Sequence, residues 1–155
     1  MRKAHGILLM PFARIGGRMI FPPPVTTRVQ TDGSFQAGVA RVAATITTRD
    51  QTTYRLLATV TVDNSTESEW ASVYFGLQQA LQKQQDAIEL ENDNLGVING
   101  LIHNNTPLRQ NYARHFRSRI LDLAAETAWT GVRWIPREIN AADQLFRTPR
   151  KATKS

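Results

Sequence analysis

Four carboxylates, Asp32, Glu69, Asp93 and Asp143, fall where one kind of segment gives way to another. Each has an ordinary explanation when taken alone. Asp32 before Gly33 is a common turn pair. Thr66-Glu67-Ser68-Glu69 fits a capping box whose last carboxylate returns to a backbone amide, and Asp93 and Asp143 sit in first helical turns, where negative charge is favoured. As a group they call for a different reading. At an effective dielectric near 20, two unit charges about 4 Å apart repel by around 4 kcal/mol, so four converging carboxylates make sense mainly with cations among them. Ligands that offer only oxygen suit magnesium or manganese. Two such ions about 3.5 to 4 Å apart would activate a water and stabilise the leaving oxygen of an in-line phosphodiester displacement. This defines a class of reaction and leaves the substrate open.

The surrounding segments predict how the acids are carried. Val29 to Asp32 reads as a strand closing on a Gly33 turn, and Val39–Thr47 and 54–62 as β-rich runs separated by Arg49-Asp50-Gln51. Trp70, Val73, Leu77 and Leu81 recur at helical spacing after a cap at Thr66, which predicts a helix of about twenty residues. Ile88 and Leu90 alternate with Glu89 and Glu91 in a strand ending near Asp93. Leu95, Ile98 and Ile102 predict a short helix, residues 108–129 a longer one, 132–135 a last strand and Ala141–Arg147 a terminal helix. The order βββαβααβα implies an α/β domain, a five-stranded mixed sheet with helices packed on it.

The 155 residues, 41% of them hydrophobic, fit one domain with a respectable core. Its expected extent is 28–147. Residues 1–27 form an extension ending in the stiff run Phe21-Pro22-Pro23-Pro24, and 148–155 a basic tail. The chain has no cysteine. Disulfides and thiolate zinc sites are therefore excluded, and a reducing interior is allowed, with the cytoplasm the expected location.

The net charge is +6, and its placement is uneven. Arg2, Lys3, Arg14, Arg18 and Arg28 stand before Asp32 without an acid, and Arg147, Arg150, Lys151 and Lys154 follow Asp143 without one; all thirteen acids lie between. Such basic ends would attract phosphates, although they equally serve solubility. The run Ile7-Leu8-Leu9-Met10 stops at Pro11, too short to span a membrane, and the serine-poor start fits an organellar transit peptide badly.

The segments that carry the acids resemble the type 1 ribonuclease H family from about Val29 to Arg147. Thr31-Asp32-Gly33-Ser34 with Ala37-Gly38-Val39-Ala40 looks like the family's first strand and hairpin. Thr66-Glu67-Ser68-Glu69-Trp70-Ala71 looks like the helix that supplies its glutamate, in a register that gives that role to Glu69 rather than Glu67. The run from Ile135-Pro136-Arg137-Glu138 through Asn140-Ala141-Ala142-Asp143 is similar to the closing signature of members lacking a long basic insertion, and is the most specific of the three.

The resemblance implies a ribonuclease H-like fold and hydrolysis of the RNA strand of an RNA–DNA hybrid, leaving 3′-hydroxyl and 5′-phosphate ends. Asp32, Glu69, Asp93 and Asp143 would be catalytic and would hold two magnesium or manganese ions. It also implies recognition of 2′-hydroxyls, with Gly33, Ser34, Thr66 and Asn94 as candidate contacts. No protein partner is implied, and a monomer is expected. Two departures matter. There is no histidine shortly before the last aspartate, a place where Arg137 or Glu138 would take over; His5, His103 and His115 lie elsewhere. The basic insertion is also missing, and Arg109, Arg114, Arg117 and Arg119 could replace it, or could form a solvated helix face. Two other readings remain: a non-catalytic nucleic-acid-binding member of the fold, and a superfamily nuclease with another substrate.

Overall fold

The computed structural model describes residues 9–147. Strands β1 (Ala13–Gly16), β2 (Thr27–Gln36), β3 (Val39–Thr47) and β4 (Thr53–Val60) precede helix α1 (Ser65–Gln82). Strand β5 (Ala87–Asn92), helices α2 (Leu95–Ile102) and α3 (Asn111–Ala125), strand β6 (Trp129–Trp134) and helix α4 (Ala141–Arg147) follow, with a short 3-10 turn over Arg137–Ile139. The strands form one mixed sheet in the order β1-β6-β5-β2-β3-β4. Strands β2, β3 and β4 are an antiparallel meander, β5 runs parallel to β2 and to β6, and β1 is antiparallel to β6.

The sheet thus has six strands where the sequence predicts five. The added strand, β1, pairs Ala13 with Val132 and Arg14 with Gly131, within the stretch read as an extension, and places Ile15 in the core. Four residues are too few to display an alternating pattern, so it left no signal.

The core lies between one face of the sheet and α1, α2 and α3. Val73, Leu77, Ile88, Leu90, Leu101 and Ile120 are fully or almost fully buried there, each contributing on the order of 2 kcal/mol of apolar burial. Helix α1 comes close to β2 because Gly76 lacks a side chain. A Cβ there would meet Thr31 Cγ2 at 2.4 Å and Val29 Cγ1 at 2.9 Å. Residues Val29, Thr31 and Gly33 of β2 therefore face α1, and strand alternation turns Gln30 and Asp32 to the opposite face, where α4 contacts β2, β3 and β4.

Several boundaries differ from expectation; the last strand, for one, is Trp129–Trp134 rather than 132–135. Strand β2 does not end on a turn at Gly33 but runs on to Gln36, and the hairpin closes at Ala37 and Gly38 with φ of 51° and 78°, the doubly left-handed geometry of a tight hairpin. Helix α1 is capped by Asn64, whose Oδ1 accepts from the Glu67 amide at 2.9 Å, while Glu67 Oε1 accepts from the Asp63 amide at 2.9 Å. The capping box is thus Asn64 with Glu67, and Glu69 is released from that duty. Helix α3 ends at Ala125 rather than running to Trp129. The Thr127 hydroxyl donates to the Ala124 carbonyl at 2.7 Å, and Asp86 draws the Ala128 amide to its carboxylate at 2.8 Å, which turns the chain into β6.

Candidate active site

Strand β5 stops pairing with β2 at Asn92 and Thr31, so Asp32 and Asp93 are the first residues past the end of the parallel ladder. This is the end of the sheet at which Glu69 arrives from α1. Gly33 allows the approach: a Cβ at Gly33 would lie 2.3 Å from the Ser68 carbonyl oxygen and 2.8 Å from the Glu69 nitrogen. Only glycine lets the first turns of α1 rest on the strand, and that contact carries Glu69 to Asp32.

Carboxylate oxygens of Asp32, Glu69 and Asp93 lie within 4.8 Å of one another. They border a cavity of about 490 Å³ whose wall also includes Ser34, Ser65, Arg137, Asp143 and Arg147. All four expected acids thus reach one cavity, but three form the tight cluster and Asp143 stands beside it. Arg147 Nε donates to Asp143 at 2.5 Å and Arg137 Nε lies 3.5 Å away.

Hydrogen bonds fix the three clustered acids. The Gly33 amide donates to Asp32 Oδ1 at 3.0 Å and to Glu69 Oε1 at 3.2 Å. Asn140 Nδ2, fully buried, donates to the Thr31 carbonyl at 2.9 Å and to Asp93 Oδ2 at 3.1 Å, while its Oδ1 accepts from the Ala142 amide at 3.0 Å. One side chain therefore caps the start of α4 and orients Asp93. Asn92 Nδ2 donates to the Thr31 carbonyl at 3.0 Å and its Oδ1 accepts from the Asn94 amide at 2.7 Å, closing the loop that presents Asp93.

The electrostatics follow from burial without counter-charge. Burial, then the charges of Glu69 and Asp93, push the Asp32 carboxyl up to about 9. Burial and the Asp93 charge push Glu69 up to about 7 against the Gly33 amide, which lowers it. Asp93 is raised by burial in spite of its bond from Asn140. Asp143 goes the other way: burial would raise it, but the hydrogen bond from Asp32, then Arg147 and Arg137, leave it below the usual carboxylate range. A proton on Asp32 donated to Asp143 is the arrangement these shifts describe.

The remaining expected contacts divide. Gly33, Ser34 and Arg137 border the cavity, although the Gly33 amide is engaged by carboxylates. Thr66 is exposed on the first turn of α1, and Ser65 borders the cavity instead. Asn94 Oδ1 caps α2 through the Val97 amide at 3.0 Å. The arginines of α3 are also committed elsewhere. Arg114 donates to the Leu108 carbonyl, Arg117 to the Thr106 carbonyl, and Arg119 to the Tyr74 hydroxyl at 2.6 Å. Phe146, which lines the cavity, escaped the sequence reading, and Arg147, which lines it too, reads in sequence only as part of the basic end, although the spacing of Asp143 and Arg147 is the i, i+4 spacing that pairs side chains on a helix.

The family model described as reverse transcriptase-like matches residues 30–147. No curated protein matches the chain in sequence. Among solved structures it is similar to the N-terminal ribonuclease H domain of a Mycobacterium tuberculosis protein, with a TM-score of 0.69 and 19% identity over 78% of this chain and 90% of that one. Ribonuclease H1 from the halophilic archaeon Halobacterium salinarum gives 0.68 and 19%, over 77% and 92%. LC11 ribonuclease H1, solved in complex with an RNA/DNA hybrid, gives 0.67 and 19%, over 77% and 93%. No helix among the described residues is long and apolar enough to cross a membrane. With its four acids inside the matched segment and its sheet order and carboxylate cluster in place, the chain belongs to the reverse transcriptase-like family and has the type 1 ribonuclease H fold.

Proposed function

We propose that this protein is an endoribonuclease that hydrolyses the RNA strand of RNA–DNA hybrids, using two magnesium or manganese ions and leaving 3′-hydroxyl and 5′-phosphate ends. The observation that carries the reading is the convergence of Asp32, Glu69 and Asp93 within 4.8 Å, Asp32 buried and the other two half-buried, with no ion pair among the described residues. The donor set fits the ions. It is all oxygen, it is rigidly held, and its raised carboxyl groups register a negative charge that the fold leaves unbalanced.

Asp32, Glu69 and Asp93 would hold one ion, and Asp32 with Asp143 the other. When bound, the ions lower the pKa of water and stabilise charge on the phosphate oxygens. The protein's own groups do the rest. Asn140 and Asn92 keep Asp93 and its loop in place, and the Gly33 amide holds Asp32 and Glu69 together. Ser34 can exchange hydrogen bonds with a 2′-hydroxyl, the group that separates RNA from DNA. Arg137 and Arg147 give the cavity a positive edge for phosphate, and Arg137 occupies the loop position that lacks a histidine.

The test is incubation with labelled hybrid, duplex RNA and duplex DNA in magnesium, manganese or chelator. Only the hybrid, and only with metal, is expected to be cut. Asp93→Asn should slow cleavage at least about a thousandfold, the loss of several kcal/mol of metal-borne stabilisation. Full activity in that variant would remove the site assignment, and equal cutting of either duplex would remove the hybrid as substrate.

A further inference from the structure

Phe146 borders two spaces. One is the carboxylate cavity; the other is an adjoining groove of about 860 Å³ between α4 and strands β3 and β4, lined also by Arg41, Arg55, Leu57 and Leu145. Pairing of Arg41 with Thr59, Ala43 with Leu57 and Thr45 with Arg55 sets Arg41, Leu57 and Arg55 on the same face of the sheet, the one toward α4. The Arg41 guanidinium lies 5.1 Å from the centre of the Phe146 ring, and Leu57 is 51% exposed.

These arginines differ from the ion-paired arginines of the molecule. Arg18, Arg28, Arg133, Arg137 and Arg147 each meet a carboxylate, whereas among the described residues neither Arg41 nor Arg55 does. Two cations with no carboxylate partner among the described residues, beside an exposed leucine and an aromatic ring, make a surface that suits phosphates and bases together. A duplex would bring the phosphates but keep its base faces stacked inside, so the apolar part of the groove would be unused. Unpaired nucleotides offer both. The chain's own segment after α4 is a poor competitor, since residues 148–155 add Arg150, Lys151 and Lys154 and no acid.

Building on the nuclease reading of the neighbouring cavity, we propose that this groove holds a single-stranded continuation of the RNA strand whose phosphodiester lies at the carboxylates. Phosphates would meet Arg41 and Arg55, and a base would lie against Phe146 and Leu57. The protein would thus prefer hybrids next to unpaired RNA over fully paired ones.

The experiment measures binding by fluorescence anisotropy on the Asp93→Asn chain, so that the substrate stays intact. The probes are a blunt hybrid and the same hybrid with an unpaired 5′ RNA, 3′ RNA or DNA extension. One RNA polarity is expected to tighten binding about tenfold, the value of one stacked base, and to steepen the salt dependence by about one to two units. Arg41→Ala with Arg55→Ala should abolish that gain and leave affinity for the blunt hybrid within about twofold. Both residues are exposed, and an unchanged Tm will show that the fold is intact. No gain from either RNA extension, a gain that survives in the double variant, or an equal gain from the DNA extension would each overturn the proposal. Cleavage of the blunt hybrid by the wild-type chain reads the nuclease assignment separately. If the blunt hybrid is cut while the RNA extensions give no gain, only the groove assignment fails.

Discussion

Glu91 and Asp93 are two residues apart at the end of β5, both engaged on the side of the sheet toward α4, and the fold treats their charges in opposite ways. Glu91 is 1% exposed. Arg133 meets one of its oxygens through two N–H groups at 2.7 and 2.5 Å, Gln30 donates to the other at 2.9 Å, and Arg28 lies 3.6 Å away. Every acceptor has a donor from the protein. Asp93 and its neighbours Asp32 and Glu69 receive amide hydrogens from Asn140 and Gly33 and, among the described residues, no ion pair, the Arg137 charge reaching Asp93 only from a distance. A buried carboxylate that serves structure brings its own counter-charge, whereas the acids proposed to serve chemistry are held in place without one, open to a cation that arrives from solution.

The comparison breaks most sharply in stability. Removing Glu91 by Glu91→Ala strands Arg133, whose side chain is 12% exposed, and should destabilise the protein by about 3 kcal/mol in urea unfolding. Asp32→Asn in the same assay, without metal and above pH 9, where Asp32 is ionised, should do the reverse and stabilise by about 1 kcal/mol, because there it deletes a repelling charge. If both substitutions destabilise, the clustered acids are balanced in some other way and the contrast is mistaken.

Metal and pH probe the same difference more gently. Asp32 and Glu69 are raised in the fold from 3.8 to about 9 and from 4.5 to about 7. Between the unfolded and folded values the unfolded chain binds fewer protons, so the contribution of these groups to stability is full at low pH and is lost as pH rises toward 7 and then 9. In chelator, Tm should therefore fall between pH 5 and 9. Magnesium must displace those protons, so its affinity should rise up to about tenfold per pH unit for each proton released, and its Tm shift should be larger at pH 8.5 than at pH 6. A magnesium shift that does not change with pH would mean that the carboxylates are ionised before metal binds.

Much of this was legible in sequence because the acids sit at boundaries, and boundaries leave signals. The last helix, Ala141–Arg147, and the strand Val39–Thr47 carry their own periodicity and were readable to the residue. What sequence could not show was the near-contact of segments far apart in the chain. Gly33 looks like a turn glycine because Asp-Gly usually is one; only the passage of α1 across β2 reveals that its missing Cβ admits Glu69. The capping box was misplaced by two residues because Thr66 and Glu69 satisfy the same pattern as Asn64 and Glu67. The α3 arginines looked like a phosphate surface because sequence counts charges without showing which carbonyls they already hold, while Arg41 and Arg55, scattered along two strands, looked like nothing until register aligned them.

Asp143 stands between the two treatments, and the smallest predicted effect decides which it follows. It borders the cavity with the clustered acids, yet Arg147 bonds it one helical turn away, an arginine whose side chain is half exposed. Asp143 is buried but Arg147 is half exposed, and an i, i+4 pair open to solvent on one side contributes only about 0.5 kcal/mol, too little to be a reason for keeping it. If Arg147 merely occupies Asp143 until a cation arrives, Arg147→Gln should leave stability within about 0.5 kcal/mol and tighten manganese binding a few-fold in calorimetry, because no guanidinium has to be displaced. If instead manganese binding does not change in the variant, the pair with Arg147 is self-sufficient, and this fourth acid belongs with the pairing of Glu91 rather than with the open cluster.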